Sequence, residues 1–204
     1  MADIAESVTE HEPAWEIAHL FPYQGHWSED EYVAITNATN RLVEFSHGKI
    51  EVLPMPTRTH QLILMYLYRL FYASIEAPGF ASVFIAALRV RLWQGKIREP
   101  DLVVMLAEHR HRQGEAYFDG ADLVVEVVSD DDPKRDLVIK REEYAQAGIP
   151  EYWIVEPQFE TVTVLRLEGA AYAEHGRYGR GTVATSALLA DIAVEVSALF
   201  DAAR

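Results

Sequence analysis

Two short runs of branched apolar residues, Leu102-Val103-Val104-Met105 and Leu123-Val124-Val125, each with a carboxylate attached, restrict this chain more than anything else in it. Such runs, without polar alternation, mark strands covered on both faces, so both are expected as central strands of a sheet. The first begins at Asp101, directly after Arg98-Glu99-Pro100, and the proline has no N–H to give a ladder. The second carries Glu126 in its interior, within Asp122-Leu123-Val124-Val125-Glu126-Val127-Val128-Ser129. A carboxylate in such surroundings is costly or stays protonated unless a cation compensates it. A divalent metal shared by Asp101 and Glu126 meets that need.

The elements around this pair form a consistent order. Ser28 and Glu31 make a capping box for a short helix ending near Ala38. Arg41–Phe45 and Lys49–Leu53 flank Ser46-His47-Gly48 as a β-hairpin, with Gly48 supplying a positive φ. Thr57 or Thr59 caps a helix in which Leu62, Ile63, Tyr66, Leu67, Leu70 and Phe71 recur at helical spacing before Pro78-Gly79. Residues 81–93 read as one long strand, returned through Gln94-Gly95-Lys96 into the Asp101 strand, and 108–120 as a polar connection. After Glu126, the run Ser129-Asp130-Asp131-Asp132-Pro133 signals a helix start, and a helix is expected from about Lys134 to Ala147, stopped by Gly148. On it Asp136, Lys140 and Tyr144 share one face. Ile149–Pro157 follows as a strand, giving a βαβ unit from Leu123 to Val155, and residues 161–178 close as a further hairpin. The fold class is α/β: a mixed central sheet flanked by helices, with an additional C-terminal β-hairpin. Residues 1–26 are expected as a flexible acidic arm and 27–204 as a single domain.

Composition narrows the function. The 204 residues are half apolar and a quarter charged, as in an ordinary globular protein. Without cysteine, disulfides, thiolate nucleophiles and Cys-ligated zinc are excluded, which fits a cytoplasmic protein. The N-terminal residues lack a secretory pattern, and Asp191 and Glu195 interrupt the apolar segment near the C-terminus, so no membrane span is expected. The net charge of −14 repels a polyanion at long range and stands against nucleic-acid binding. Bound metal, together with basic residues gathered on one face, for example Lys134, Arg135, Lys140 and Arg141, would offset it.

A Mg²⁺-type site prefers oxygen and takes one or two protein carboxylates, the remainder coming from water and substrate phosphate. Asp101 and Glu126 satisfy that count, and the Val127 backbone carbonyl offers a third oxygen. Lys140 is the best candidate for countering charge that develops on a phosphodiester, with Asp136 and Tyr144 to orient it.

Pro100-Asp101, Glu126-Val127-Val128-Ser129, Lys140 with Tyr144, and Ala147-Gly148-Ile149-Pro150-Glu151-Tyr152-Trp153-Ile154-Val155 together resemble the signature of the Uma-type restriction endonuclease family. That family belongs to the PD-(D/E)XK nuclease superfamily, and the resemblance runs from about Tyr32 onward. It implies a restriction-endonuclease-like fold and Mg²⁺-dependent hydrolysis of DNA, with Mn²⁺ as a substitute. Asp101 then matches the motif aspartate, Glu126 the second acid and Lys140 the lysine. Val128 stands where the superfamily pattern has lysine; in this family the lysine is similarly supplied by the following helix, and Lys134 is a poorer substitute. Glu44 resembles an upstream glutamate that reaches the metal through water, and His60 matches a histidine at the start of the first long helix.

Each residue has a plainer reading. Asp101 could be a strand-initiating residue paired with Arg98, Lys140 a solvated helix residue, Glu44 a hairpin rim charge and His60 a capping or core histidine. Tyr152 and Trp153 read as core, and His109 and His111 as loop residues with no evident carboxylate partner. The expected function is a metal-dependent endonuclease acting on DNA. The alternatives are a nuclease-fold binding or interaction module without turnover, and hydrolysis of another phosphate ester. A homodimer is expected by analogy, since a double-strand cutter needs two symmetry-related sites.

Overall fold

A computed structural model describes residues 21–39, 41–129 and 131–204. Most of the expected arm, residues 1–26, therefore lies outside the described residues, as does Asp130 of the helix-start signal. In chain order the elements are α1 (Glu29–Asn37), β1 (Val43–Ser46), β2 (Lys49–Val52), α2 (Arg58–Phe71) continued by a π-turn (Tyr72–Glu76), β3 (Ala81–Ile85), β4 (Val90–Trp93) and β5 (Lys96–Arg98). Then come β6 (Leu102–Leu106), a 3₁₀ turn (Ala107–Arg112), β7 (Phe118–Asp119), β8 (Leu123–Val127), a π-helical segment (Arg135–Lys140) running into α3 (Arg141–Gln146), and β9 (Glu151–Glu156). The chain ends with β10 (Thr161–Glu168), β11 (Ala171–Tyr178), β12 (Val183–Thr185), β13 (Ala193–Glu195) and α4 (Val196–Asp201).

The two acid-bearing runs are β6 and β8, side by side at the centre of a sheet ordered β11-β10-β9-β8-β6-β3. β8 and β9 pair in parallel across the intervening helix and the other neighbours are antiparallel, so the sheet is mixed. Alternation splits its residues between two cores. Leu102, Val104, Leu123, Val125 and Val127 pack with Ile63, Leu67 and Phe71 of α2 and with Leu199 and Phe200 of α4. Val103, Met105 and Val124 pack on the opposite face with Tyr144, Ala145 and Tyr152. Both faces are covered, which is why these strands read as continuous apolar runs.

A second sheet, β2-β1-β5-β4-β7, stands beside the first. The expected single strand over 81–93 is divided between the two: β3 pairs with β6, whereas β4 pairs with β5 and β7. Ala86 and Ala87 bring little apolar area to hold a continuous strand. The Arg89-Val90-Arg91 alternation instead serves the second sheet, where Arg89 lies 3.9 Å from Glu99 and Arg91 donates to the Tyr117 hydroxyl at 2.7 Å. Glu99-Pro100-Asp101 is the return crossing from β5 in one sheet to β6 in the other.

The helix expected over 134–147 is present but begins as a π-segment, a distortion that often accompanies functional sites. Gly148 ends it at φ +75°, and the Ile149 N–H donates to the Tyr144 carbonyl at 3.0 Å. The first hairpin turns through His47 and Gly48, both at positive φ. The Gly48 carbonyl accepts from the Gly25 and Trp27 N–H groups at 2.7 and 3.1 Å, docking residues 25–27 on the hairpin that carries Glu44.

A Cβ at Gly48 would stand 2.5 Å from the Gly25 carbonyl oxygen, with φ at +77°. Gly48→Ala is therefore expected to destabilise the protein by about 2 kcal/mol or more. Gly79→Ala, at φ +89° but in open space, is expected to cost only about 1 kcal/mol. Urea denaturation of both variants checks the difference.

Candidate active site

Register brings the two acids together. Leu102 lies opposite Val125 and Val104 opposite Leu123, so one further step sets Asp101 across from Glu126, on the same face. The next step sets Pro100 across from Val127, and proline offers the Val127 carbonyl no N–H from that side. The Val127 N–H donates to Asp101 Oδ2 at 2.7 Å, and His60 Nε2 lies 3.0 Å from that same oxygen. Asp101 Oδ1 is thereby free of protein donors among the described residues. His60 reaches this position from the first turn of α2, where its N–H is capped by the Thr57 hydroxyl.

Lys140 closes the site from the helix on this face. Its ammonium lies 2.9 Å from Glu126 Oε1, 3.3 Å from Asp136 Oδ1 and 3.4 Å from Glu44 Oε1. Asp136, Lys140 and Tyr144 are all buried on one helix face, as their spacing requires. Asp136 touches the lysine as expected, but the Tyr144 hydroxyl donates to Glu126 Oε1 at 2.5 Å, so it orients the acid and not the lysine. Lys134 is exposed and outside this cluster. Glu44 arrives from β1 in the second sheet, paired with Arg98 and accepting from the Glu99 N–H at 3.3 Å.

The charges are unevenly compensated. Glu44 has Arg98 besides Lys140, and Asp136 has Arg135 at 3.9 Å. Glu126 shares only Lys140, and Asp101 has only His60. Burial pushes the Glu126 carboxyl up to about 8; Lys140 pulls it down, while Asp101 and Asp136 add to the rise. Burial also raises Asp136, against the pull of Lys140 and Arg135. Burial resists ionisation of Glu44 too, but Lys140 and Arg98 hold it below the usual carboxylate range. Burial opposes the Lys140 charge, and the carboxylates of Glu126, Glu44, Asp136 and Asp101 outweigh it, so Lys140 stays protonated.

A hard divalent cation fits this donor set. Asp101 Oδ1 is open, Asp136 Oδ1 has only the Lys140 ammonium within hydrogen-bond distance, at 3.3 Å, and the candidate ligands are all oxygens. Among the described residues no three His, Asp or Glu side chains form a ready-made metal cage.

Several site residues escape the sequence reading. Glu99 is buried beside the cluster with its Oε2 accepting from the Val43 N–H at 3.0 Å, and burial pushes its carboxyl up to about 7. Arg98 meets Glu44 and Glu143 in place of Asp101. The basic face proposed for Lys134, Arg135, Lys140 and Arg141 is not a face: Arg135 and Lys140 are buried. His109 has a carboxylate partner after all, since its Nδ1 lies 2.7 Å from Asp122, the residue just before β8. Leu53, Pro54, Pro56, Gln61 and Leu64 wall the site into a cavity of about 50 Å³.

Residues 29–197 match the family model Uma2, described as "Putative restriction endonuclease". The crystal structure of "a putative nuclease belonging to DUF820" from Anabaena variabilis is similar to this fold, with a TM-score of 0.68 at 18% identity, over 81% of this chain and 93% of that one. No curated protein matches the sequence closely.

The raised Glu126 carboxyl has a thermodynamic sign. An unfolded chain releases this proton near 4.5 and the folded one at about 8, so between those values the folded state holds more protons and loses stability as pH rises. Glu126→Gln abolishes that loss. In EDTA its Tm is expected to gain on the unsubstituted protein between about pH 5 and about pH 8.5, by thermal denaturation; a difference constant with pH would contradict the raised value.

Proposed function

The chain belongs to the Uma2 family of restriction-endonuclease-like proteins, and from that membership we propose that it is a magnesium-dependent endonuclease hydrolysing DNA phosphodiester bonds, with manganese as a substitute. One observation supports this above the others: Glu126 and Asp101 face each other across neighbouring strands, Glu126 buried with Lys140 as its one cation among the described residues and Asp101 with one oxygen left open. Asp101, Glu126 and the Val127 carbonyl would hold the ion. When bound, it supplies positive charge to the phosphoryl group and makes a water easier to deprotonate.

The remaining work falls to the chain's own groups. Lys140 keeps its proton on Nζ and donates from it to the phosphoryl oxygen on which charge develops. Glu44 and Asp136 fix the ammonium from two sides, and Arg98 fixes Glu44 in turn. Tyr144 holds the Glu126 carboxylate, while His60 and the Val127 N–H hold Asp101 by one oxygen and leave the other presented.

The net charge of −14 favours a second reading, a nuclease-fold binding or interaction module without turnover. Hydrolysis of a different phosphate ester is a third. The cysteine-free sequence supports a cytoplasmic setting, and cutting both strands calls for a homodimer. Among the described residues no helix is long and apolar enough to cross a membrane.

Calorimetric titration with Mg²⁺ and Mn²⁺, alongside plasmid cleavage and hydrolysis of simple phosphate esters, separates these readings. Metal binding and cleavage are both expected for the unsubstituted chain and lost in Asp101→Ala and Glu126→Ala. Lys140→Ala should bind metal yet cut at least about 100-fold more slowly. Metal and DNA binding without cleavage would establish the idle module; ester hydrolysis with intact plasmid would establish the third reading. His60→Ala is expected to weaken metal binding about 10-fold, whereas His60→Gln, which keeps a donor at the Nε2 position, should stay close to the unsubstituted affinity.

A further inference from the structure

Beside the catalytic cluster, on the far side of Glu44, lies a separate cleft of about 550 Å³ whose lining includes Ser46, Lys49, Lys96, Arg98, Ile139 and Glu143. Sheet register builds it. Ser46 of β1 pairs with Lys49 of β2 and with Lys96 of β5, so Lys49, Ser46 and Lys96 form a row across three strands on one face. Two residues back along β1, Glu44 pairs with Glu51, and the same register sets Arg98 opposite it. The two rows are about 7 Å apart along the strands, close to one nucleotide step of an extended strand. The row holding Glu44 and Arg98 borders Lys140; the Lys49-Ser46-Lys96 row is the next one along.

The cations of this cleft are unusual in being buried. Lys96 and Arg98 are only 4% and 5% exposed, yet both line a solvent-filled space. Lys96 donates to the Ser46 hydroxyl at 3.0 Å, and it shares with Arg98 one carboxylate, Glu143. Arg98 grips Glu143 with two parallel bonds, Nε to Oε2 at 2.7 Å and Nη2 to Oε1 at 3.0 Å. This fork fits two phosphate oxygens equally well. Burial lowers the Lys96 pKa and Arg98 adds to the fall, against the pull of Glu143 and Glu44, whereas Arg98 is held above its ordinary value, against burial, by Glu44 and Glu143.

We propose that this cleft is a subsite for the backbone phosphate next to the one cleaved, with Lys96, Arg98 and the Ser46 hydroxyl as donors and Glu143 as the carboxylate holding their place until substrate arrives. The proposal rests on the nucleic-acid reading above. In the free protein Glu143 keeps two buried cations paired. On binding, a phosphate takes over the fork and Glu143, which lines the cleft, swings outward through its opening. Lys49, at the exposed end of the row, guides the same strand.

The test is fluorescence anisotropy with a labelled DNA oligonucleotide over a range of salt, in EDTA so that nothing is cut. Glu143→Gln is expected to bind about fivefold more tightly, with a similar slope of log K against log[salt], since the same phosphates are held in both proteins and only the competing carboxylate is gone. Glu142→Gln removes the same charge from an exposed neighbour on the same helix and is expected to change affinity much less. Lys49→Gln, at an exposed position, and Ser46→Ala, which leaves Lys96 its Glu143 partner, should each weaken binding several-fold. Equal affinities for Glu143→Gln and Glu142→Gln, or full affinity in Ser46→Ala with Lys49→Gln, would overturn the subsite while leaving the nuclease reading intact. Failure of the unsubstituted chain to bind DNA even at low salt would overturn both.

Discussion

The ammonium of Lys140 is the point on which the molecule converges. It joins Glu126 from the central sheet, Glu44 from the second sheet and Asp136 from its own helix, and so ties three layers together inside the protein. Its burial means that removing any one partner leaves the others with uncompensated charge in a poorly solvated place. The geometry therefore depends on all of them at once. The chain reaches this arrangement through the Glu99-Pro100-Asp101 crossing, where the proline ends one ladder and the aspartate begins the next.

Much of this was legible in local pattern. Asp101 and Glu126 stood out because acids are rare in branched apolar runs, and their strands do lie adjacent. Asp136, Lys140 and Tyr144 share a face because helical spacing dictates it. The pairings that could not be read are those made between sheets. Nothing near Arg98 in the sequence points to Glu143, and nothing near His60 points to Asp101; each pairing is a product of packing. The division of residues 81–93 between two sheets was hidden for the same reason, since strand propensity does not say which sheet a strand joins. His109 looked partnerless because Asp122, thirteen residues on, returns to it only after the 3₁₀ turn and β7.

The overall charge takes on a different meaning once burial is known. Four of the basic residues, Lys96, Arg98, Arg135 and Lys140, are interior, but so are seven acids, Glu44, Glu99, Asp122, Glu126, Asp136, Glu151 and Glu156, so the surface stays acidic, though less so than the composition alone suggests. An anionic polymer approaching this protein meets repulsion over most of it, and attraction is confined to clefts where cations line the floor. Binding of that kind depends strongly on ionic strength and on correct local fit. It discourages adhesion to nucleic acid at random, which is an advantage for a hydrolytic site.

The crossing between sheets also bears on when such a site comes into being. Glu44 belongs to the first third of the chain and Lys140 to the last, and the strands that bring them together close long loops, which folds slowly. Until the helix that carries Lys140 docks against both sheets, the carboxylates have no lysine among them and Glu44 has only Arg98 as its cation. Partly made or misassembled chains are thus left without the complete cluster, which comes into being only with the finished fold.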